Sequence, residues 1–205
     1  GPASSTSDAV GPVSGSPPLL KIDVNGSTGY AGGTAPSVFQ GASFTINLDL
    51  ERDADGWPFD ISSGGLLIAI SAGKILIGHQ SGFVLFNYTD GEWRFTHDIA
   101  ETGFARFKAY KDGVLQVVDS TAGVYTTSAS INGFPLNLGR RTADLNYFDG
   151  RISKVKIWNR ICAPADVDQS TGLVLHLNSI SGTTWDDVSP SNSNFTLFGG
   201  AFGVS

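Results

Sequence analysis

Apolar and polar residues alternate over short runs in this chain, and turn-forming residues cut the runs apart. From Ser43 to Leu50, Phe44, Ile46, Leu48 and Leu50 share one side while Ser43, Thr45, Asn47 and Asp49 share the other. That period of two belongs to a half-buried strand. Gly65 to Ser71 is continuously apolar, which suits a strand covered on both faces. Lys74 to Gly78, Phe83 to Tyr88 and Glu92 to Ile99 read as a meander, turning at Ser81-Gly82 and Asp90-Gly91. Phe104 to Lys111 and Val114 to Asp119 flank Asp112-Gly113, a pair suited to the positive φ angles of a tight hairpin. Leu20 to Val24, Pro135 to Gly139, Arg151 to Trp158, Leu173 to Leu177 and Phe195 to Phe198 add further strands. No amphipathic helix exceeds about two turns. Roughly a dozen short strands predict an all-β fold of two stacked antiparallel sheets.

Composition changes this picture in three ways. Residues 1–18 are rich in Ser, Gly, Pro and Ala and offer little to bury, so they read as a flexible arm or linker. Residues 19–205 then form one sandwich domain, large enough for a full core. The net charge of −6, without a Lys/Arg block, argues against nucleic acid as a partner. No apolar run approaches the ~20 residues of a membrane-spanning helix, so no membrane insertion is expected. The one cysteine, Cys162, cannot form an internal disulfide and reads as a small buried hydrophobe. Gly1-Pro2 resembles a protease scar, and the absence of Met suggests a piece of a longer protein.

The stretch Tyr147-Phe148-Asp149-Gly150-Arg151-Ile152-Ser153-Lys154-Val155-Lys156-Ile157-Trp158-Asn159-Arg160 combines a turn with a strand. It resembles the last strand of laminin G-like jelly-roll domains of the concanavalin A-like lectin/glucanase superfamily. Lys21 to Tyr30 is similar to the opening strand of that family, Ser43 to Ile46 to its next strand, and Ala105 to Asp119 to its hairpin. The resemblance implies a jelly roll with one short helical turn near 161–167. By parity, Trp158 belongs beside Lys154 and Lys156 on the outer face, beneath that turn. Gly172 to Asn178, Gly182 to Ser189 and Phe195 to Ala201 are similar to the segment that opens such domains, yet here they close the chain. The domain is therefore either circularly permuted or followed by the start of another repeat. Permutation is favoured, because a stray apolar strand pair would leave an exposed edge.

Candidate chemistry is sparse. Cleavage of a glycosidic bond needs two carboxylates facing one cleft, about 5–5.5 Å apart for retention, and no such pattern is evident. The three histidines, His79, His97 and His176, are far apart in sequence, and His97 shares the parity of Trp93 and Phe95. Glu51, Asp53 and Asp55 precede Gly56 and copy the first half of a calcium loop, although Ser62 stands where its bidentate Glu belongs. Ca²⁺ is the one cofactor expectation they raise, and solvated loop carboxylates are the plainer reading. Asp186 and Asp187 form a second acidic pair, and Asp186 could cap a turn.

Glycan binding is the activity the resemblance implies most directly. Sugars need an aromatic platform and polar groups that pair with hydroxyls. Trp57, Tyr147 and Trp185 fall in expected loops and are candidate platforms, with Asp144 and Asn146 flanking Tyr147. The alternative for each ring is a lid folded over the core. The leading expectation is a non-catalytic carbohydrate-binding or adhesion module at an extracellular or virion surface, on a phage or bacterial surface protein, engaging cell-surface glycan. Weak single sites imply an oligomer or multicopy array. A second reading is a structural fibre or virion domain that contacts protein, and a third is a glycan-cleaving enzyme with an unrecognised carboxylate pair.

Overall fold

A computed structural model describes residues 21–37, 39, 42–61, 65–79, 81–125, 133–141, 146–166, 169–181 and 183–199. Its strands are β1 (Ile22–Asn25), β2 (Tyr30–Thr34), β3 (Phe44–Ala54), β4 (Gly56–Ile61), β5 (Leu66–Ser71), β6 (Lys74–His79), β7 (Gly82–Asn87), β8 (Gly91–His97), β9 (Phe107–Lys111), β10 (Val114–Leu115), β11 (Ser120–Gly123), β12 (Pro135–Leu138), β13 (Asp149–Trp158), β14 (Leu173–Ser181), β15 (Thr184–Asp187) and β16 (Phe195–Phe198). One layer runs β10-β9-β8-β3-β13, with β1 along the first half of β13 and β14 along its second half. The other runs β15-β16-β2-β12-β4-β5-β6-β7-β11. Every pairing is antiparallel among these strands. The arm expected over 1–18 lies outside the described residues.

Alternation decides what each strand buries. Phe44, Ile46, Leu48 and Leu50 of β3 enter the core, as do Trp93 and Phe95 of β8. Across from them lie Ile68 and Ile70 of β5, Ile75 and Ile77 of β6, and Leu136 and Leu138 of β12. All five residues from Leu66 to Ile70 are buried, as their unbroken apolar run predicts. In β13 the phase of the core-facing residues breaks at Lys154. Lys154 takes a positive φ of 51°, the register against β3 shifts there, and both Ile152 and Val155 reach the core despite opposite parity. Such a bulge turns an odd spacing into one buried face. The Lys154 ammonium meets Asp49 and Glu92 on the outside, at 3.1 Å each.

Beyond the bulge the parity argument holds. Trp158 is fully buried outside the main core, and its indole N–H donates to the Gln169 carbonyl at 2.7 Å. The guanidinium of Arg94 lies 5.2 Å from its ring centroid and donates to Asn47 Oδ1 and the Cys162 carbonyl. Cys162 is buried in the same place. The turn over 161–166 is a single one, closed by Asp166 N–H on the Ala163 carbonyl, while the 3₁₀ element spans Gly103–Arg106.

The structure corrects three local expectations. The meander is interrupted: β6 and β7 pair in one layer, but β8 crosses to β3 in the other. Tyr88 holds that corner, donating its hydroxyl to Asp90. The hairpin at Asp112-Gly113 is present with both φ angles positive, yet β10 is only two residues long. The chain then leaves for the second layer, so 112–123 straps the open edge of each sheet. Strands β2 and β4 escape the pattern because of Gly32-Gly33 and Gly56-Trp57-Pro58. Their glycines serve packing: a Cβ at Gly33 would lie 2.5 Å from the Phe195 ring.

The closing segment is threaded into the fold. Leu173 to His176 of β14 pair with β13, Leu177 to Ser181 pair with β15, and β16 pairs with β2. Leu175, Leu177, Trp185, Phe195 and Leu197 belong to the same core as Ile22. Of the acidic pair, Asp187 is the one that shapes the turn, accepting from the amides of His176, Ser189 and Ser193.

At one end of the sandwich, buried His79 and His97 face each other, with ring centroids 6.5 Å apart, among Phe44, Phe107 and Tyr125. Burial pushes the pKa of each down, that of His97 to about 4. Unfolded, both titrate at about 6.5. The unfolded chain therefore binds more protons in that interval, so stability is full above it and drains as pH falls through it. We expect the urea midpoint to drop between about pH 6.5 and about pH 4, and His97→Phe to flatten that slope. We also expect Phe195→Ala to cost about 3–5 kcal/mol in the same titration, since it opens the core where the tail seals it.

Candidate functional site

Residues 139–141 and 146–148 run antiparallel to each other on the rim. Arg140 bridges Tyr147, Arg141 N–H donates to the Asn146 carbonyl at 3.1 Å, and Phe148 N–H to the Gly139 carbonyl at 2.9 Å. Phe148 is fully buried and anchors the returning arm. That arm lies directly on the start of β4: a Cβ at Gly56 would stand 2.3 Å from the Tyr147 carbonyl oxygen. Only glycine permits this approach. It sets Trp57, the next residue, beside Tyr147.

Both residues border a cleft of about 560 Å³. Asp55 and Asn146 supply polar groups, while Ala69 and Leu76 line it from the outer face of β5 and β6. Trp57 is half-buried, and the Arg141 guanidinium sits 4.6 Å from its ring centroid. This cation–π contact holds the indole in place. Asp55 is held too, by the guanidinium of Arg52 at 2.8 Å and the amide of Ala72 at 2.7 Å. Each of its oxygens accepts one bond and keeps a lone pair for another donor. The arrangement can stack an apolar ring face and exchange hydrogen bonds with hydroxyls around it.

Of the sequence candidates, Trp57, Tyr147 and Asn146 thus meet in one cleft. Asp144 lies outside the described residues. Trp185 is corrected: it sits in β15, is wholly buried in the core and presents no face to a ligand. The calcium set is corrected as well. Residues 51–54 continue β3 instead of looping, and Asp53 and Asp55 line separate clefts. Glu51 is taken by Lys21 and Arg151, whose hydrogen bonds hold its carboxyl below the usual range. Among the described residues no group of three His, Cys, Asp or Glu side chains is placed to hold a metal. These residues therefore do not fit a Ca²⁺ ion. Asp55 emerges instead as a cleft residue. The sequence hint was its position two residues before Trp57, which the calcium pattern obscured.

Residues 25–168 match the family described as the concanavalin A-like lectin/glucanases superfamily, and the chain belongs to it. Two solved structures share the fold. One is a Bacteroides ovatus protein described as a "putative carbohydrate binding protein", at TM-score 0.62 and 14% identity, covering 88% of this chain. The chain spans 58% of that protein's length. The other is the native heptameric SAP-like pentraxin of Limulus polyphemus, at TM-score 0.51 and 13% identity, covering 87% of this chain and 95% of the pentraxin. No curated protein matches. Among the described residues, no helix is long and apolar enough to cross a membrane.

The cleft depends on the Gly56 contact, which is testable without a ligand. We expect Gly56→Ala to lower stability by about 1–3 kcal/mol and to shift the Trp57 contribution to the fluorescence emission, the other indoles being buried.

Proposed function

We propose that this domain is a non-catalytic carbohydrate-binding module and that the Trp57–Tyr147 cleft is its site. One observation carries the reading: Trp57, Tyr147, Asp55 and Asn146 line a single open cleft. Sugar rings offer C–H faces to the aromatics and hydroxyls to the carboxylate and amide. The superfamily and the Bacteroides ovatus neighbour support the choice of ligand class. A binding role is preferred to cleavage because Asp55 is the one carboxylate among the described lining residues of this cleft, and Arg52 already engages it. Glycosidases of the usual kind need two.

We place the module on an exposed particle, a virion or a bacterial surface, presented in several copies. A lone site of this size binding near ~1 mM gives only about −4 kcal/mol, so useful adhesion needs multivalency. The Limulus pentraxin of the same fold is heptameric, which supports a multicopy arrangement. A second reading, contact with protein neighbours, draws on the strap over the sheet edges. Val114, Leu115, Val117, Val118 and Val124 are between 45% and 86% exposed there, an apolar edge that a monomer would ordinarily blunt.

The test is a glycan array followed by titration of the best hit. We expect Trp57→Ala to weaken binding by tenfold or more, in line with the ~1.5–3 kcal/mol of burying a large apolar side chain, with the urea midpoint unchanged. Equal binding by the variant would refute the assignment.

A further inference from the structure

A second cleft, of about 330 Å³, adjoins the first on the same rim and is lined by Asp23, Asn25, Asp53, Asp149 and Arg151. Three segments of chain serve both. Gly26, Asp55 and Tyr147 face the aromatic cleft, while Asn25, Asp53 and Asp149 face its neighbour. The divide is thin: Gly26 N–H donates to the Phe148 carbonyl at 3.2 Å, and a Cβ at Gly26 would meet the Asp149 Cβ at 3.1 Å. A ligand stacked between Trp57 and Tyr147 that continues along the rim therefore enters the second cleft.

The two clefts differ in chemistry. The first is aromatic with one carboxylate, already bonded to Arg52. The second is polar, and its cation, Arg151, is drawn away by Glu51 at 2.6 Å. The acidic excess belongs to the second cleft, where three carboxylates, Asp23, Asp53 and Asp149, stand against that single guanidinium, while in the first Asp55 is offset by Arg52 and Arg141 lies on Trp57. Carboxylates accept from hydroxyl and ammonium donors, and they repel anions within the screening length of about 8–10 Å.

We propose that the groove takes an oligosaccharide of two or more rings, neutral or amino-bearing, and rejects acidic glycans. The first ring stacks between Trp57 and Tyr147, and the next ring donates to Asp53 and Asp149. This rests on the carbohydrate reading of the Trp57 cleft, and deepens it by naming length and charge.

The intact chain is tested against neutral hexose and N-acetylhexosamine oligomers, glucosamine oligomers, and uronate- or sialate-bearing oligomers. The expected hits come from the first two groups. Affinity rises about tenfold from one ring to three, as a tethered second contact allows. The double variant Asp53→Asn/Asp149→Asn, checked for native near-ultraviolet dichroism, loses that gain but keeps single-ring binding. Glucosamine oligomers weaken from about 50 mM to about 500 mM salt, and neutral ones do not. Acidic hits as strong as neutral ones overturn the inference, as does a double variant that keeps the full gain with length. The underlying reading fails separately, when no glycan of any group binds or when Trp57→Ala binds as wild type does.

Discussion

Each sheet in this protein has an apolar inner face that only the other sheet can cover. Phe44, Ile46 and Trp93 on one side and Ile68, Ile77 and Leu138 on the other are of no use apart. Hydrophobic burial at about 25 cal/mol per Å² is the main force available to a chain with one cysteine and little helix. The rest of the architecture follows from keeping those faces opposed. The β3 and β13 pairing forms the spine of one layer, β4 to β7 form the body of the other, and the rim segments fill the gaps between them. The bulge at Lys154 keeps β13 in phase with that demand, and the segment after Trp158 folds back to dry the outer side of the same strand.

The candidate cleft lies where the two layers meet, at the rim, because the interior is fully committed. Trp57 opens a strand of one sheet and Tyr147 leads into a strand of the other. Neither ring is needed for the core, in contrast to Trp93, Trp158 and Trp185, each wholly buried. The same distinction separates the rim carboxylates. Asp187 is buried and spends its oxygens on backbone amides, whereas Asp53 and Asp149 line open space.

Much of this was legible in the residues, for identifiable reasons. Strands with clean alternation, such as β3, or with a diagnostic turn, such as the Asp112-Gly113 hairpin, announced themselves. The family resemblance placed β13 and the tail. Strands β2 and β4 did not, because their glycines answer to aromatic neighbours distant in sequence and not to strand propensity. The meander misled because local alternation says nothing about which layer a strand joins; a corner at Tyr88 decided that. At the candidate cleft, loop aromatics were the feature sought, yet composition could not separate Trp57 from Trp185. Burial did, through contacts made across the whole chain. The acidic triplet showed the opposite error. Its spacing imitated a calcium loop, but Lys21 and Arg151 claim the first carboxylate, and the other two line separate clefts.

The strand β14 is hydrogen-bonded into both layers, to β13 at one end and β15 at the other. A sandwich held only by side chains can let its sheets slip past each other; this one is riveted. The walls of the rim groove, drawn from opposite layers, consequently keep a fixed gauge. On the proposed reading, a guest arriving there would meet a jaw already set and spend little of its binding energy on ordering the host.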